Sequence, residues 1–556
     1  MSAAVAVAAV VLATLLIGVR GVAAMRSTSD FLVASRGVSP LVNASAVAGE
    51  YLSAASFLGV AGLVVKNGVG ALWYPVGFTA GYIAMLVLVA APMRRSGALT
   101  VPDFAQARLG SLALRRLAAV VVLVVGVLYL MPQFRTAGLV LSAMGGTHYW
   151  VGVVIAAAVA STTLALGGMR AATYVQAFQF VLKLVLFIVP AVWLLALVGP
   201  AVREEAVHPV EFTRFERDTP VLFEIDAQLQ LHSPTPLREP GGEVIVHPPG
   251  ELTIPAGRQV VFPAGADVPQ VLGGHAPGAP GWEQPLVHLG DHGYPLLATW
   301  AVLTATALGT MGLPHVIMRF HTSPNGRAAR RTAAITVLLL GAFYLFPGVY
   351  GVLGRVLVPQ LYLSGATDTA VVALPVQVDT GWQGTVLTAL LTAGAFSAFL
   401  ATSLGLLLVV ASAVAHDLVP GRLRTMRLTV LATAAAVVLL ALPATAVDTD
   451  LLVTWAFALA AATFAPLLVL GIWWERLTAR GAATGMLAGL LTTSASIITT
   501  AFLGAHLHGW VAVLLAQPAP WTVPLSFGLM IGVSLRGRAP SWSTNAMLRL
   551  HLAEQR

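Results

Sequence analysis

Long apolar segments recur along this chain of 556 residues, and short polar stretches separate them. Most are about as long as the roughly 20 residues that an α-helix needs to cross a bilayer. They predict about thirteen spans, near residues 3–25, 41–66, 72–93, 116–143, 149–167, 170–199, 294–318, 333–357, 383–416, 427–447, 450–473, 481–503 and 519–535. Composition agrees, because 57% of the residues are hydrophobic and only 10% are charged. The sequence therefore predicts an all-α polytopic membrane protein embedded in a lipid bilayer.

Arginine residues cluster in every second loop between these segments. The clusters are Arg26 and Arg36; Arg94, Arg95, Arg108, Arg115 and Arg116; Arg170; Arg319, Arg327, Arg330 and Arg331; Arg422, Arg424 and Arg427; Arg476 and Arg480; and Arg536, Arg538 and Arg549. This positive-inside pattern predicts an extracytoplasmic N-terminus and a cytoplasmic C-terminus. The net charge of +8 then reflects topology, so we expect no nucleic-acid partner.

The location follows from the same features. Arginine has nearly replaced lysine, which is typical of a GC-rich bacterial genome, so we expect a multi-pass protein of a bacterial plasma (cell) membrane. The first apolar segment is expected to stay as a helix, with a cleaved signal peptide as the alternative.

Residues 200–293 break the pattern, because they are polar, acidic and rich in proline and glycine. Alternating stretches at residues 243–246 and 259–262 indicate a small extracytoplasmic β-rich domain or lid, with disorder as the alternative. Its histidines are too scattered for a metal site. Cysteine is absent from the whole chain, so no disulfide and no thiolate chemistry is available.

Glu50 is the carboxylate that this pattern places deepest inside a predicted span. An ionisable group in hydrocarbon is costly and by default marks a pathway for an ion or a substrate. Small and hydroxyl residues surround it between Ala46 and Gly59, which favours a helix that opens in mid-membrane. A face of small residues for helix packing is the alternative.

Two further segments have unusual polar character. Ala398, Ala401 and Thr402 share one helical stripe, and oxygen donors of this kind suit a hard monovalent cation such as Na⁺. In residues 305–315, two glycines and a proline predict a second broken helix ending at His315, whose ring could titrate or bind a carboxylate. Either segment alone could also be structural.

Two basic residues lie inside predicted spans. Lys183 lies near the middle of its span and Arg135 nearer the outer end of another, so either could attract an anion or pair with Glu50. Lys183 could instead extend its ammonium to the membrane interface, and Arg135 could line an outer vestibule.

Together these segments resemble the sodium:solute symporter family, in particular its cation/acetate (monocarboxylate) branch. The resemblance is carried by Gly49-Glu50-Tyr51-Leu52-Ser53-Ala54-Ala55-Ser56-Phe57-Leu58-Gly59, Thr173-Tyr174-Val175-Gln176, Gly309-Thr310-Met311-Gly312-Leu313-Pro314-His315-Val316-Ile317-Met318-Arg319-Phe320 and Ala411-Ser412-Ala413-Val414-Ala415-His416-Asp417-Leu418. It covers nearly all of the membrane part and not residues 200–293.

The resemblance implies a LeuT-type core of two inverted five-helix repeats, with flanking helices. The implied divisions are an N-terminal helix and loop (1–40), the first repeat (41–199), the extracytoplasmic insertion (200–293), the second repeat (294–473) and C-terminal helices with a cytoplasmic tail (474–556). In this family Na⁺ lies between the first and eighth core helices. That position matches Gly49, Leu52, Ala398, Ala401 and Thr402.

This chain departs from the family at two places near that site. Position 401 is alanine where relatives often carry serine, and Glu50 replaces an aspartate. The lost hydroxyl weakens the case for Na⁺, and a buried Glu50 could carry a proton instead, so H⁺ is the alternative coupling ion.

The resulting expectation is a symporter, and not an enzyme, that imports a small monocarboxylate such as acetate, propionate or pyruvate. We expect Glu50 and Ser403 to couple or gate transport. We expect substrate contacts from Ser53, Ser56, Gln133, Thr310, His315 and Lys183. The alternatives are a symporter for proline, pantothenate, urea or sugar, and a transporter-like nutrient sensor. Expected partners are the substrate and a monovalent cation, with no organic cofactor; a small membrane subunit is an open alternative.

Overall fold

The structure is a computed structural model. It describes residues 3–20, 28–145, 147–208, 212–223, 227–239, 242–255, 257–271, 282–288, 293–419, 421–444, 449–503, 507–537 and 543–552. In sequence order the helices are α1 (Ala3–Arg20), α2 (Thr28–Val33), α3 (Pro40–Tyr51), α4 (Val60–Asn67), α5 (Trp73–Leu88), α6 (Ala90–Arg95), α7 (Val101–Leu109), α8 (Leu112–Gly145), α9 (Tyr149–Leu197), α10 (Pro200–Val207), α11 (Pro295–Gly312), α12 (Pro314–Phe320), α13 (Gly326–Tyr344), α14 (Pro347–Leu357), α15 (Leu361–Ser364), α16 (Ala370–Val378), α17 (Trp382–Ser412), α18 (Leu423–Ala441), α19 (Thr449–Trp473), α20 (Ala479–Leu503), α21 (Gly509–Ala516), α22 (Ala519–Arg536) and α23 (Ser543–His551).

Within the described residues, nine helices are long and apolar enough to cross a membrane, or eleven if two sharply bent pairs each count as one span. The expected number of about thirteen spans is therefore not reproduced exactly. One reason is α9, whose 49 residues join two predicted spans through a kink at Gly168, where φ is +56°. A left-handed φ of this kind favours glycine.

The first core helix is broken, as its small residues indicated. The segment α3 ends at Tyr51, a π-helical turn covers Ala55–Gly59, and α4 continues after it with a bend of 70°. Leu52 leaves helical geometry with ψ at 76°, so the chain is non-helical between the two halves. Non-helical backbone at this depth is tolerated only where protein or a cavity surrounds it.

A second interruption separates α11 from α12. Leu313 has an extended conformation (φ −67°, ψ 116°) and Pro314 begins α12. Proline has no amide hydrogen to donate to the preceding turn, and it disfavours helical geometry in the residue before it. The predicted break in residues 305–315 therefore has a direct local cause.

Two helices form the centre of the bundle. In the most apolar 18-residue stretch of α17, and in that of α19, 94% of the residues are buried. In the corresponding stretch of α18, 22% of the residues are buried. The helix α3 packs against both α9 and α17, and α11 packs against α5 and α19. The two interrupted helices thus lie inside the bundle with their breaks covered by other helices.

The insertion contains two small antiparallel sheets in its described part. Its strands are β1 (Thr219–Phe223), β2 (Ala227–Leu231), β3 (Thr235–Arg238), β4 (Val244–His247), β5 (Gly250–Ile254), β6 (Arg258–Phe262) and β7 (Gln270–Val271). The sheet orders are β1-β6-β3-β4 and β5-β2-β7. Their apolar faces pack together with Tyr362 and Leu363 of the membrane part. Of the two alternatives drawn from the sequence, the structure has the β-rich domain.

Candidate functional site

The carbonyl oxygens at the end of α3 face a lysine. Lys183 Nζ, on the second half of α9, donates to the carbonyl oxygen of Gly49 at 2.5 Å and of Leu52 at 2.8 Å. Lys183 is completely buried. The helices can approach this closely because Gly49 has no side chain, and a Cβ there would overlap the carbonyl oxygen of Gln176. Two oxygens that the resemblance assigns to Na⁺ are therefore bonded to an ammonium group.

The opposite wall is the stripe on α17. Thr402 Oγ1 donates to the backbone carbonyl of Glu50 at 2.5 Å, and the carbonyl of Ala401 accepts from Gln176 Nε2 at 2.6 Å. Ala398, one turn earlier, is completely buried and adds no polar side chain. The structure therefore brings α3, α9 and α17 together at the residues predicted to bind the cation, although Ala401 and Thr402 each already have a protein partner.

Glu50 forms a buried ion pair with an arginine of α12. Arg319 Nε lies 2.5 Å from Glu50 Oε2, and both side chains are only 1% exposed. Arg319 also donates to Thr173 Oγ1 at 2.9 Å and to the side-chain oxygen of Gln176, both on α9. Glu50 Oε1 has no hydrogen-bond partner among the described residues. This network ties the two broken helices to α9.

Three of the predicted substrate residues form hydroxyl pairs with tyrosines around the first break. The pairs are Ser53 with Tyr129 at 3.2 Å, Ser56 with Tyr344 at 3.0 Å, and Thr310 with Tyr51 at 2.9 Å. All six side chains are buried or mostly buried. They surround the start of the second half-helix with donors and acceptors that can rotate towards a small polar solute.

Gln133 and His315 complete this region. Gln133 Oε1 accepts from the amide of Ala54 at 3.1 Å, in the first turn after the break. The His315 ring lies edge-on to Tyr129 at 5.5 Å, and its Nε2 is buried without a hydrogen-bond partner in the described structure. The hydroxyl of Tyr82 is likewise buried and unpartnered. Buried polar atoms normally have partners, so each of these two atoms has capacity for a further hydrogen bond.

Aromatic rings close the same region on the other side. Tyr51 contacts Tyr82 edge-on at 4.7 Å and Phe78 at 5.8 Å, and Phe457 lies 5.2 Å from Phe78 and 5.6 Å from Tyr129. These rings form an apolar wall beside the half-helices. A mostly apolar wall with a few polar groups is typical of sites for small molecules.

The remaining candidates lie elsewhere in the bundle. Ser403 is buried beside Thr402 in the sequence, and its hydroxyl has no partner in the described part of the chain. Arg135 Nε donates to the carbonyl of Ala444 at 2.9 Å, so this arginine does not form the ion pair with Glu50. The role of Ser403 as a gate stays a prediction.

Sequence reasoning missed the most highly connected residue of the site. Arg319 follows a predicted span that ends at residue 318, and the positive-inside pattern assigned it to a cytoplasmic loop. The stretches that carried the family resemblance already contained Arg319, Thr173 and Gln176. Their meeting at Glu50, 269 residues before Arg319, was not visible in any local pattern.

The side chains of this site can bind a small solute and form an ion pair. Among the described residues, no group of three or more His, Asp or Glu side chains could hold a metal ion. The buried carboxylate of the site is engaged with an arginine rather than with a second carboxylate or a nucleophile. An interrupted helix with exposed carbonyls beside a polar, aromatic-walled region is what transporters use to bind a solute and an ion near the membrane midplane.

Comparison with known proteins agrees with this interpretation. The chain matches the model of the sodium:solute symporter family over residues 31–219 and 287–489, a match that omits most of the β-rich domain. It is 28% identical over 527 residues to the uncharacterized symporter YwcA of Bacillus subtilis, covering 92% of this chain and 90% of that protein. It is also 28% identical over 530 residues to the monocarboxylic acid transporter of Corynebacterium glutamicum, covering 90% of this chain and 85% of that one.

Solved structures show the same fold. A Na⁺-coupled sialic acid symporter in a substrate-bound outward-open state aligns with a TM-score of 0.66 at 13% identity, covering 97% of this chain and 98% of its own. MhsT in complex with L-phenylalanine aligns with a TM-score of 0.54 at 13% identity, covering 87% and 98%. The LeuT-type core with flanking helices that the sequence predicted is thereby confirmed.

Proposed function

Because the chain belongs to the sodium:solute symporter family, we propose that it imports a small monocarboxylate, such as acetate, propionate or pyruvate, together with a monovalent cation. As a family member it is a multi-pass membrane symporter and not an enzyme. The proposal concerns the solute, the residues that bind it and the direction of transport.

One observation carries the proposal: hydroxyl groups and a ring nitrogen of His315, unpartnered in the described structure, lie around the break in the first core helix. The hydroxyls of Ser53, Ser56 and Thr310 lie there with their tyrosine partners, and His315 Nε2 lies beside Tyr129. The first amides of a helix have no intrahelical partner and favour negative charge. A short carboxylate could accept from these groups while its alkyl part lies against the rings.

One named relative gives independent support. A protein that matches nearly this whole chain is described as a monocarboxylic acid transporter. An identity of 28% leaves room for a different solute, so proline, pantothenate, urea and sugars remain the competing substrates. A nutrient sensor built on the same core is a more distant alternative.

Alternating access would follow from the two interrupted helices. In this mechanism one set of helices rocks around a central site and exposes it to each side in turn. The Glu50–Arg319 pair joins α3 to α12, so it links the moving parts of both predicted repeats. We propose a positioning and gating role for Glu50, with Ser403 of α17 as a second candidate gate.

Uptake of radiolabelled acetate into proteoliposomes tests the proposal. Na⁺ and pH gradients are imposed separately, and unlabelled propionate, pyruvate, proline and glucose compete. We expect propionate and pyruvate to reduce acetate uptake and proline and glucose to leave it unchanged. Competition by proline or glucose without competition by propionate would overturn the proposed substrate class.

Variants locate the site within the same assay. Ser56→Ala and Tyr344→Phe each remove one member of a hydroxyl pair, so we expect a higher KM for acetate in both. Ser526→Ala is the matched control, because it removes a buried hydroxyl from the flanking helix α22. An unchanged KM in both site variants would exclude this pair from the substrate site.

The proposed orientation has its own test. We propose that the N-terminus and the β-rich domain lie outside and the C-terminus in the cytoplasm. The chain has no cysteine, so single-cysteine variants can be labelled without background. Thr425→Cys and Glu251→Cys place a thiol at exposed positions on predicted opposite sides. Labelling of Thr425→Cys in intact cells by an impermeant maleimide, without labelling of Glu251→Cys, would reverse the orientation.

A further inference from the structure

The predicted Na⁺ position already holds a positive charge of the protein. Lys183 Nζ lies 2.5 Å and 2.8 Å from the carbonyl oxygens of Gly49 and Leu52, the two ligands that the first core helix would offer. The ammonium is completely buried, so water screens it poorly. A sodium ion bound to the same oxygens would lie within a few ångströms of this charge, and repulsion would exclude it.

The opposite wall does not compensate for that repulsion. Position 401 is alanine and has no side-chain oxygen, and its carbonyl accepts a hydrogen bond from Gln176. The hydroxyl of Thr402 is bonded to the carbonyl of Glu50. A hard monovalent cation needs several oxygen ligands, and with alanine at position 401 the hydroxyl of Thr402 is the one side-chain oxygen that residues 398, 401 and 402 offer.

The residue type is itself informative. Only Lys66 and Lys183 are lysines among the 31 basic residues of the chain, so arginine is the basic residue elsewhere. A lysine ammonium is a compact point charge with three donors, whereas a guanidinium is a flat fork. Of the two, the ammonium has the size and the geometry to sit between two carbonyl oxygens as an alkali ion does.

The charges around Lys183 also fit a resident cation. The charged residue of α3 is Glu50, and its carboxylate is bonded to Arg319 of α12. The facing stretch of α17, residues 398–405, and residues 3–19 of α1 contain no ionisable side chain. The direct partners of Lys183 are therefore two neutral carbonyls, and the charge of its ammonium group holds them in place.

We propose that the ammonium of Lys183 takes the place of Na⁺ at the break in the first core helix, so that this symporter needs no Na⁺ at that position. The ammonium holds Gly49 and Leu52 together as a bound ion would and anchors the break to α9. This inference rests on the proposed transport function, because it concerns which cation that function requires.

The wild-type protein gives the first test. Purified protein is unfolded thermally in sodium chloride, potassium chloride and choline chloride at equal ionic strength. We expect the same unfolding temperature in all three salts. We also expect replacement of Na⁺ by choline to change acetate uptake by less than about twofold, whereas a coupled ligand typically changes affinity by 5- to 150-fold. Stabilisation by Na⁺ alone, or loss of uptake without Na⁺, would overturn the inference.

Substitution of the lysine gives the second test. We expect Lys183→Ala, and more clearly Lys183→Ala combined with Ala401→Ser, to be stabilised by Na⁺ over K⁺ and choline, because the carbonyls become available and a hydroxyl is added. Lys66→Ala is the matched control, since it removes the other lysine outside this site. If the double variant elutes as a folded monodisperse protein and does not respond to Na⁺, the inference is wrong.

The two proposals fail in different ways. Absence of monocarboxylate uptake under every gradient would overturn the substrate proposal. The unfolding experiments contain no substrate, so they would still decide whether Lys183 excludes Na⁺.

Discussion

Replacing Arg319 with methionine should destabilise the protein more than replacing both members of its ion pair with Glu50. Both side chains are only 1% exposed and their charged atoms are 2.5 Å apart, so loss of Arg319 leaves a buried carboxylate without its counter-charge. Breaking a buried pair in this way costs about 3–5 kcal/mol. Loss of the bond from Arg319 to Thr173 adds about 1 kcal/mol.

The double variant Glu50→Gln/Arg319→Met removes both charges. Replacing a whole buried pair by neutral side chains is often close to neutral, so the remaining loss should be about 1–3 kcal/mol, from the hydrogen bonds that Arg319 donates to Thr173 and Gln176. The two changes should therefore be non-additive, with a coupling of at least about 2 kcal/mol.

Thermal unfolding of the detergent-solubilised protein measures this cycle, using wild type, the two single variants and the double variant. Arg330→Met serves as the control, because Arg330 is exposed on α13 and should change stability by at most about 0.5 kcal/mol. The expected order of unfolding temperature is wild type, then the double variant, then Arg319→Met. A double variant less stable than Arg319→Met would refute the argument that the buried charge dominates.

Two further substitutions test the packing around the site and the attachment of residues 200–293 to the helices. Gly405→Ala should strongly impair folding or transport, measured by unfolding and uptake, because the added Cβ would overlap the carboxylate of Glu50. Gly341→Ala is the control: a Cβ there has no neighbour within 4 Å, so both assays should give the wild-type result. Trp282→Ala should loosen the β-rich domain, since removing a buried indole costs about 3–5 kcal/mol, and limited proteolysis should then cut residues 200–293 faster. Trp382→Ala is its control because that side chain is 75% exposed, and equal proteolysis of both variants would contradict the expectation that Trp282 fastens residues 200–293 to the rest of the chain.

Local chemistry explains which features of the fold were predictable. The break near Leu313 follows from the proline after it, and the break after Tyr51 lies in a stretch of small and hydroxyl residues. The boundary between two spans in α9 was predicted near residues 167–170, and the structure puts the kink at Gly168. Each of these features depends on neighbours in the sequence, which is why pattern reasoning reaches them.

The site depends on contacts that local patterns do not contain. A mid-span lysine at position 183 indicated a functional charge, yet its partners Gly49 and Leu52 lie more than 130 residues away. The rule that places arginines in cytoplasmic loops assigned Arg319 to the wrong environment, because it counts charge near span ends and does not see a counter-charge on another helix. Long-range pairing of this kind needs the packed structure.

The second half of the broken helix, α4, is held at both of its ends. At the break, Lys183 bonds to the carbonyl of Leu52. At the far end, Val69 donates to the carbonyl of Trp282 at 3.1 Å, and the Trp282 ring lies 3.9 Å from the guanidinium carbon of Arg355. Gly68 allows this contact with φ at +84°, and a side chain there would overlap the Trp282 backbone. A displacement of α4 relative to Trp282 would therefore carry the Trp282 segment with it or break this contact. Residues 200–293 thus contact the second half-helix directly, and α4 connects the Trp282 segment to the break at Leu52.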